Sequence, residues 1–231
     1  MIIYWCSRLL QDVPVSGDWL HPSEKLVADG FKFPKKRNDW LLGRWTAKNA
    51  VKSFLQKSFP HLDYSQIEIR AAEDGAPEVF FENKRLPVFI SLSHSQGIGF
   101  CTITQPGFAL GCDLEKIEPR SEYFVNDYFT KNEQALCSKS NYPELIANLI
   151  WSAKESTLKA IRTGLRVDPR LMEVSFEKEG RTDHWQPLKV LAKNSGQTFF
   201  GHWRVVNDIV YTVVANEPQY KLEQFKNPLT S

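Results

Sequence analysis

Short apolar stretches, several of them alternating with polar residues, recur along the chain and predict β-strands. The predicted strands are residues 1–10, 67–70, 78–81, 88–92, 98–104, 108–115, 185–192, 198–206 and 209–216. Apolar residues at helical spacing predict helices over residues 21–28, 38–55, 121–128, 131–139 and 143–162. Because strands and helices occur in separate clusters, the pattern predicts an α+β fold rather than an alternating α/β fold.

Two local predictions concern how these elements begin and connect. Asn38 is the predicted N-cap of the long helix, and it follows a basic, turn-prone patch at residues 32–37. The strands 98–104 and 108–115 are separated only by Gln105-Pro106-Gly107. A connection of this length is typical of a hairpin, so we expect the two strands to pair.

Composition narrows the class of protein. The 231 residues are 42% hydrophobic and 24% charged, which is typical of a globular chain and argues against disorder or a coiled coil. The 29 basic residues nearly cancel the 27 acidic ones, leaving a net charge of +2. So small a charge gives no reason to expect nucleic-acid coating or a polybasic membrane anchor. Any anion-binding site must therefore be local.

The cysteines and the amino terminus indicate a compartment. Cys6, Cys101, Cys112 and Cys137 are scattered without a CxxC pair, which is typical neither of a zinc site nor of a disulfide framework. The first residues lack the features of a secretory signal, and no run approaches the roughly 18 apolar residues of a membrane span. We therefore expect a cytoplasmic protein with no nucleic-acid or membrane partner.

The first candidate for chemistry is a pair of acids on one strand. Asp113 and Glu115 share a face of the predicted strand 108–115, and Gly111 is expected to leave open space beside them. Two neighbouring carboxylates repel each other unless a cation or water screens them, and Mg²⁺ prefers such oxygen ligands. A solvent-facing strand edge explains the same pattern, so the pair alone does not establish a metal site.

The second candidate lies on the predicted helix 143–162. Trp151, Glu155 and Lys159 are four residues apart and share its polar side, where Glu155 and Lys159 could also form a simple surface ion pair. Lys154 lies near the apolar side of the same helix. It therefore either extends past the edge of the core or pairs with a buried acid.

Two further sets of residues could bind an anion. Ser93-His94-Ser95 follows a predicted strand, and its hydroxyls and imidazole could hold a phosphate or simply form a turn. Arg37, Arg44 and Lys48 lie close to a single line along the predicted helix 38–55. This line is either part of a binding site or a solvated basic face.

Taken in order, these motifs resemble those of the 4'-phosphopantetheinyl transferase superfamily, in its longer, surfactin-synthetase-associated (Sfp-like) class. The resemblance rests on Ser93-His94-Ser95, on Gly111-Cys112-Asp113-Leu114-Glu115, and on the stretch from Trp151 to Lys159 that contains Lys154-Glu155. Phe129 to Glu133 and Gly164-Leu165 also match the family pattern. The chain departs from that pattern at Gly75-Ala76-Pro77, where the family commonly has a basic residue between Gly and Pro.

The resemblance implies an α+β fold of two similar halves related by a pseudo-twofold axis, residues 1–108 and 109–231, with coenzyme A in the cleft between them. It implies transfer of 4'-phosphopantetheine from coenzyme A to a serine of an apo acyl or peptidyl carrier protein, which releases adenosine 3',5'-bisphosphate. The expected partners are coenzyme A and the carrier, the expected cofactor is Mg²⁺, and the expected state is a monomer. Two other classes remain open, namely a metal-dependent nucleotide hydrolase and a non-catalytic module that binds coenzyme A or the carrier.

The resemblance also implies roles for individual residues. Asp113, Glu115 and Glu155 would bind the metal, Glu155 would accept the serine proton directly or through water, and Lys159 would stabilise phosphate charge. The residues implied to contact coenzyme A are Arg37, Arg44, Lys48, Gly75, Pro77, Ser93, His94 and Lys159. The aromatic-rich segment 123–129 is expected either to dock the carrier through apolar contacts or to pack one half of the chain onto the other.

Overall fold

The computed structural model describes residues 1–225, which form two compact units. The first unit contains residues 1–107 together with the segment from Gln219, and the second contains residues 108–218. The sequence boundary placed the tail in the second half, and this is corrected. Backbone hydrogen bonds from Lys221 N to Met1 O (3.0 Å) and from Phe225 N to Trp5 O (2.9 Å) attach the tail to the first strand instead.

The first unit contains two α-helices and seven strands, counting the strand formed by the tail. Its elements are β1 (Ile2–Leu9), α1 (Pro22–Asp29), α2 (Pro34–Leu55), β2 (Ile67–Ala71), β3 (Pro77–Phe81), β4 (Lys84–Arg85), β5 (Phe89–Ser95) and β6 (Ile98–Thr104).

 The tail adds β12 (Lys221–Gln224) as the seventh strand of this unit. Two sheets result, with strand orders β12-β1-β6-β5 and β2-β3-β4.

The second unit is built around one five-stranded sheet and a long buried helix. Its elements are β7 (Leu110–Lys116), α3 (Glu122–Tyr128), α4 (Lys131–Lys139), α5 (Pro143–Ala160), β8 (Met172–Phe176), β9 (Gln186–Ala192), β10 (Gln197–Val206) and β11 (Ile209–Ala215). The strand order is β7-β11-β10-β9-β8, with every neighbouring pair antiparallel. The predicted α+β class is therefore confirmed. Among residues 1–225, no helix combines the length and the apolar character that a bilayer crossing requires.

The predicted hairpin between residues 98–104 and 108–115 is wrong. Both edges of β6 are occupied, because β6 pairs with β1 on one side and with β5 on the other. The strand β7 instead pairs with β11 in the second unit. The short connection at residues 105–107 therefore joins two units rather than two paired strands.

The start of the long helix also differs from the prediction. Helix α2 begins at Pro34 rather than after Asn38, and Arg37 N already donates to Phe33 O (3.1 Å). Proline is favourable at the first helical position, because the N–H that it lacks has no partner there in any helix. Residues 35–37, predicted as a turn, thus form the first turn of α2.

A buried ion pair fixes α5 in the second unit. Lys154 Nζ lies 2.8 Å from Glu133 Oε2, and both side chains are at most 1% exposed. Lys154 Nζ also donates to the carbonyl oxygens of Pro169 (2.9 Å) and Met172 (2.7 Å). Glu133 Oε1 in turn accepts from Val174 N (2.9 Å). The open question about Lys154 is settled, because it pairs with a buried acid and ties α4, α5 and β8 together.

The first unit has its own buried ion pair, formed by Lys48 and Glu24. Lys48 Nζ lies 2.5 Å from Glu24 Oε2 and donates to Trp19 O (3.1 Å) and Tyr64 O (2.9 Å). Glu24 Oε1 accepts from Ile69 N (3.0 Å). Lys48 is completely buried, so the expectation that it contacts coenzyme A is wrong. Its ammonium already has three oxygen partners and joins α2 to α1.

We expect Lys154→Met to lower the free energy of unfolding by about 3–5 kcal/mol, because Glu133 would remain buried without a cation. Urea unfolding followed by circular dichroism measures the change. The control is Arg181→Gln, which removes an ion pair with Asp208 on the exposed surface and should change stability far less. Equal effects of the two substitutions would contradict the role assigned to the buried pair.

Candidate active site

Close packing of α5 on β7 creates the candidate site. A Cβ atom at Gly111 would overlap the carbonyl oxygen of Ser156 and lie 2.8 Å from Ala160 N. The expectation of open space beside Gly111 is therefore wrong, because the helix backbone fills it. The hydroxyls of Ser152 and Ser156 meet Thr212 Oγ1 at 2.8 and 2.7 Å and hold the same helix against β11. This packing brings the polar side of α5 to the acids of β7.

Lys159 and Asp113 form the central contact of the site. Lys159 Nζ lies 2.8 Å from Asp113 Oδ1 and donates to Cys112 O (3.1 Å). The Asp113 side chain is 6% exposed and that of Lys159 is 28% exposed, so the pair is reachable from solvent at the lysine end. Burial opposes the charge of Lys159, but the neighbouring acid Asp113 outweighs this effect and the pKa of Lys159 is raised. Lys159 is therefore a permanent cation at physiological pH.

The two glutamates of the site repel Asp113 electrostatically. Burial, together with the charge of Asp113, raises the pKa of Glu115 above its ordinary value. The same two causes raise the pKa of Glu155. Repulsion of this kind shows that Asp113, Glu115 and Glu155 share one electrostatic environment, and it favours the arrival of a cation.

Arg120 is a member of the site that the motifs did not identify. Its Nη2 lies 2.8 Å from Glu115 Oε2, and its Nε donates to Asn148 Oδ1 (2.7 Å). Its guanidinium carbon lies 4.9 Å from the centre of the Phe124 ring. Asn148 is fully buried and its amide nitrogen donates to two backbone carbonyls, so its oxygen is fixed toward Arg120. Arg120 thereby orients Glu115 and lowers its pKa against the effect of burial.

The donor set fits a hard divalent cation in its chemistry, since it offers three carboxylates in one electrostatic environment. Within residues 1–225, however, no three Asp, Glu, His or Cys side chains already lie close enough together to hold a metal ion. Asp113 is held by Lys159, and Glu115 is held by Arg120. To bind one metal ion together, the side chains in these two ion pairs would have to move.

His94 lies at a pocket in the first unit. The residues Ser93 and His94 belong to β5, which turns into β6 through Gln96 and Gly97 at positive φ. The pocket has a volume of about 680 Å³ and is lined by Leu10, Lys35, Asn38, Asp39, His94, Ser95, Gln96 and Gly97. His94 is exposed there, and Lys35 supplies a cation that the sequence analysis did not select.

The other residues implied to contact coenzyme A do not line this pocket. Arg37 Nε donates to Ala28 O (3.2 Å), and Arg44 Nε lies 3.7 Å from Glu24 Oε1. Burial lowers the pKa of Arg44 although Glu24 opposes the shift. The predicted line of basic residues on α2 therefore faces α1 and its buried acid. Gly75 lies in the turn before β3 with a φ of +88°, and Pro77 is the first residue of β3.

The aromatic segment 123–129 mostly packs inside the second unit. The rings of Phe124 and Tyr128 lie 4.9 and 5.1 Å from that of Trp151, and Phe129 is 1% exposed. Tyr123 is 82% exposed and remains available to a partner. Of the aromatic residues expected to dock the carrier, Tyr123 is the exposed one. The other aromatic residues of α3 pack on Trp151 of α5.

Comparison with protein families finds a match within the second unit. Residues 109–214 match the family described as the 4'-phosphopantetheinyl transferase superfamily. This range contains the carboxylates, Lys159 and the buried pair of Lys154 with Glu133. The second unit is therefore similar to members of that superfamily.

Three curated proteins that are similar to part of the chain have a more specific name. Holo-[acyl-carrier-protein] synthases of Streptococcus agalactiae serotypes III, V and Ia are each 34% identical to this chain over 76 residues. The match covers 33% of this chain, and the chain spans 64% of the length of these curated relatives.

Two solved structures are also similar to parts of the chain. Holo-[acyl-carrier-protein] synthase from Neisseria meningitidis aligns with a TM-score of 0.38 and 16% identity, over 46% of this chain and 95% of that one. The synthase from Thermotoga maritima aligns with a TM-score of 0.36 and 18% identity, over 55% of this chain and 74% of that one.

We expect Gly111→Ala to destabilise the protein by about 1–3 kcal/mol, because the added methyl group forces β7 and α5 apart. Asp113 should also move relative to Lys159. The matched control is Gly43→Ala in α2, where an added Cβ meets nothing within 4 Å. That substitution should stabilise the protein by roughly 1 kcal/mol through helix propensity. A stability of Gly111→Ala equal to the wild type, measured by urea unfolding, would contradict the packing argument.

Proposed function

We propose that the protein transfers the 4'-phosphopantetheine group of coenzyme A to a serine hydroxyl of an apo acyl or peptidyl carrier protein. The observation that carries this proposal is the ion pair of Lys159 with Asp113 inside a group of three acids, Asp113, Glu115 and Glu155. The group lies in the residues that match the transferase superfamily. The names of the relatives from Streptococcus agalactiae support the same activity.

The reaction exchanges one phosphorus–oxygen bond for another. The serine oxygen forms a bond to the phosphorus that carries pantetheine, and the bond from this phosphorus to the bridging oxygen breaks. Adenosine 3',5'-bisphosphate leaves with the electron pair, and the serine proton passes to a base. Such a transfer depends on positioning and on charge stabilisation more than on covalent catalysis by the protein.

Glu155 is the proposed base for the serine proton. Its raised pKa, caused by burial and by Asp113, brings the carboxylate closer to the range in which a general base is effective. Lys159 lies one helical turn further on and remains protonated because of Asp113. Its ammonium is therefore available to stabilise negative charge on the phosphates or on the leaving group.

Asp113, Glu115 and Glu155 are the proposed ligands of a divalent cation, for which Mg²⁺ is the simplest candidate. When bound, such a cation would neutralise charge on the pyrophosphate of coenzyme A. Arg120 orients Glu115 and opposes the rise of its pKa, and Asn148 holds Arg120 in place. Outer residues of this kind commonly contribute about 10- to 100-fold to metal affinity.

The pocket beside His94 is the proposed site for the nucleotide end of coenzyme A. Its volume of about 680 Å³ falls within the range of roughly 300–1,000 Å³ that is usual for small-molecule sites. His94 and Lys35 are suited to a phosphate group, and Ser95 adds a hydroxyl donor. These residues replace Lys48, Arg37 and Arg44 as the first candidates for contacts with the 3'-phosphate.

We also propose that the chain acts in the cytoplasm as a monomer of the longer, Sfp-like class. All four cysteines are buried and none is part of a disulfide, as expected in a reducing compartment. Both units of the single chain carry residues of the proposed machinery, the first with His94 and the second with Asp113, which supports the longer class.

We expect Glu155→Gln and Asp113→Asn each to reduce carrier labelling at least about 100-fold, since the amides keep the shape but lose the charge. The assay incubates an apo carrier with coenzyme A and Mg²⁺ and measures the phosphopantetheine mass on the carrier by mass spectrometry. Glu144→Gln, on an exposed part of α5, is the matched control and should retain activity.

The same assay separates the alternative functions. Loss of phosphate from the nucleotide without carrier labelling would indicate a hydrolase, and binding without turnover would indicate a non-catalytic module. Near-normal labelling by a folded Glu155→Gln or Asp113→Asn protein would contradict the assigned site. Circular dichroism establishes that each variant is folded.

We expect His94→Ala to raise the KM for coenzyme A while kcat changes little, because the 3'-phosphate lies away from the reacting phosphorus. Dephospho-coenzyme A lacks that phosphate, so the wild type and the variant should use it equally well. His61→Ala, a substitution at an exposed position of the same unit, should behave as the wild type with both donors. An equal loss with coenzyme A and dephospho-coenzyme A would contradict the assignment of His94.

A further inference from the structure

Arg120 has more hydrogen-bond donors than its contacts with the chain use. Its Nε donates to Asn148 Oδ1 (2.7 Å), and its Nη2 donates to Glu115 Oε2 (2.8 Å). Its Nη1 forms no hydrogen bond with any of residues 1–225. A guanidinium presents five N–H groups in a rigid planar fork, so part of this fork remains available to a ligand.

The orientation of the guanidinium is fixed from inside the second unit. The Asn148 side chain is fully buried, and its Nδ2 donates to Glu118 O (2.7 Å) and to Glu144 O (2.8 Å). These two bonds determine where the amide oxygen points, and that oxygen holds Arg120 Nε. The centre of the Phe124 ring lies 4.9 Å from the guanidinium carbon, which adds a cation–π contact. A guanidinium held in this way loses little conformational entropy when it binds an anion.

Arg120 is reachable from solvent although it is paired with an acid. The side chains of Arg120 and Glu115 are 19% and 24% exposed. On the same strand, Asp113 pairs with Lys159, whose side chain is 28% exposed. Asp113 and Glu115 are two positions apart in β7, which corresponds to about 6.6 Å along the strand. The site therefore contains two partly exposed cations, each beside a different acid.

A pyrophosphate is the ligand class that fits these two cations. It carries two linked phosphate groups, so that one group can contact Arg120 while the other contacts Lys159. A guanidinium is well suited to phosphate oxygens, because its N–H groups form charge-assisted hydrogen bonds in a defined plane. The proposed substrate, coenzyme A, contains a pyrophosphate between pantetheine and the nucleotide.

We propose that Arg120 binds a phosphate oxygen of the coenzyme A pyrophosphate directly, through Nη1. This inference rests on the proposed transfer function and adds a substrate contact to the contact that Arg120 makes with Glu115. Asn148 is then a positioning residue, because it acts on the substrate through Arg120. A role limited to orienting Glu115 would affect coenzyme A only when a metal ion is bound. The two roles are therefore separable by experiment.

The first experiment measures coenzyme A binding by titration calorimetry in excess EDTA, so that no divalent cation takes part. The wild type should bind with a Kd of about 1 mM or tighter. Arg120→Met should weaken this binding at least about ten-fold, because a charged hydrogen bond is lost. Arg170→Met is the matched control, since Arg170 forms an exposed ion pair with Asp168 (2.7 Å) in the same unit, and it should bind as the wild type. Wild-type affinity in a folded Arg120→Met protein, or no wild-type binding without metal, would overturn the proposal.

The second experiment removes an indirect effect of the substitution. Loss of Arg120 leaves Glu115 without its cation, and this carboxylate by itself repels an anionic ligand. Arg120→Met is therefore also made in a Glu115→Gln background. Glu115→Gln alone should bind metal-free coenzyme A at least as tightly as the wild type, and the double variant should bind about ten-fold more weakly than Glu115→Gln. Equal affinities of these two proteins would mean that Arg120 only neutralises Glu115, and the proposal would be wrong.

Arg120→Lys tests the proposal even if Arg120→Met does not fold. It keeps the charge but lacks the planar fork, so it cannot hold Asn148, Glu115 and a phosphate together. Metal-free binding of coenzyme A should weaken at least about three-fold, and unchanged binding would overturn the proposal.

Failure of this proposal is distinguishable from failure of the proposed function. If the wild type labels no apo carrier with coenzyme A and Mg²⁺, the proposed function is wrong. If the wild type labels the carrier and the folded Arg120 variants bind metal-free coenzyme A normally, only the substrate contact of Arg120 is wrong.

Discussion

The buried ion pair between Lys154 and Glu133 is the contact on which the candidate site depends. Its lysine lies directly before Glu155 in α5, and its glutamate is fixed by backbone amides at the start of α4 and in β8. Rotation or sliding of α5 would leave both charges unpaired in the core, which is energetically costly. The contact of Gly111 with the backbone of α5 then sets the distance between α5 and β7. Together they hold Glu155 and Lys159 beside Asp113.

The framework formed by the Lys154–Glu133 pair and the Gly111 contact supports a site that contains three carboxylates. Asp113 forms an ion pair with Lys159, Glu115 forms one with Arg120, and Glu155 lies in the same electrostatic environment. The raised pKa values of the two glutamates express the resulting repulsion together with burial. A substrate that carries phosphates would add negative charge, so a further cation would favour the proposed reaction.

The sequence predicted the parts of this arrangement that depend on local pattern. Alternation and helical spacing identified the α+β class and helix 131–139, which matches α4, and motif order identified the acids and Lys159. Strand pairing and the contacts of Arg120 depend on tertiary structure, which the local pattern does not predict. β6 was already paired on both edges, so the predicted hairpin did not form, and Arg120 reaches Glu115 from a loop with no periodic signal. Open space was predicted beside Gly111 because the helix that packs against it is distant in the sequence.

Lys48 and Lys154 show why a motif residue need not be a ligand residue. Both are buried and each neutralises a glutamate of the preceding helix, whereas the next residue in the chain faces the first strand. That next residue is Glu155 beside Asp113 in one unit and Asn49 beside Arg8 in the other. The lysine therefore preserves the framework, and the position after it determines the charge of the site. Because these two roles are separate, the same framework can present a carboxylate centre in one unit and a guanidinium centre in the other.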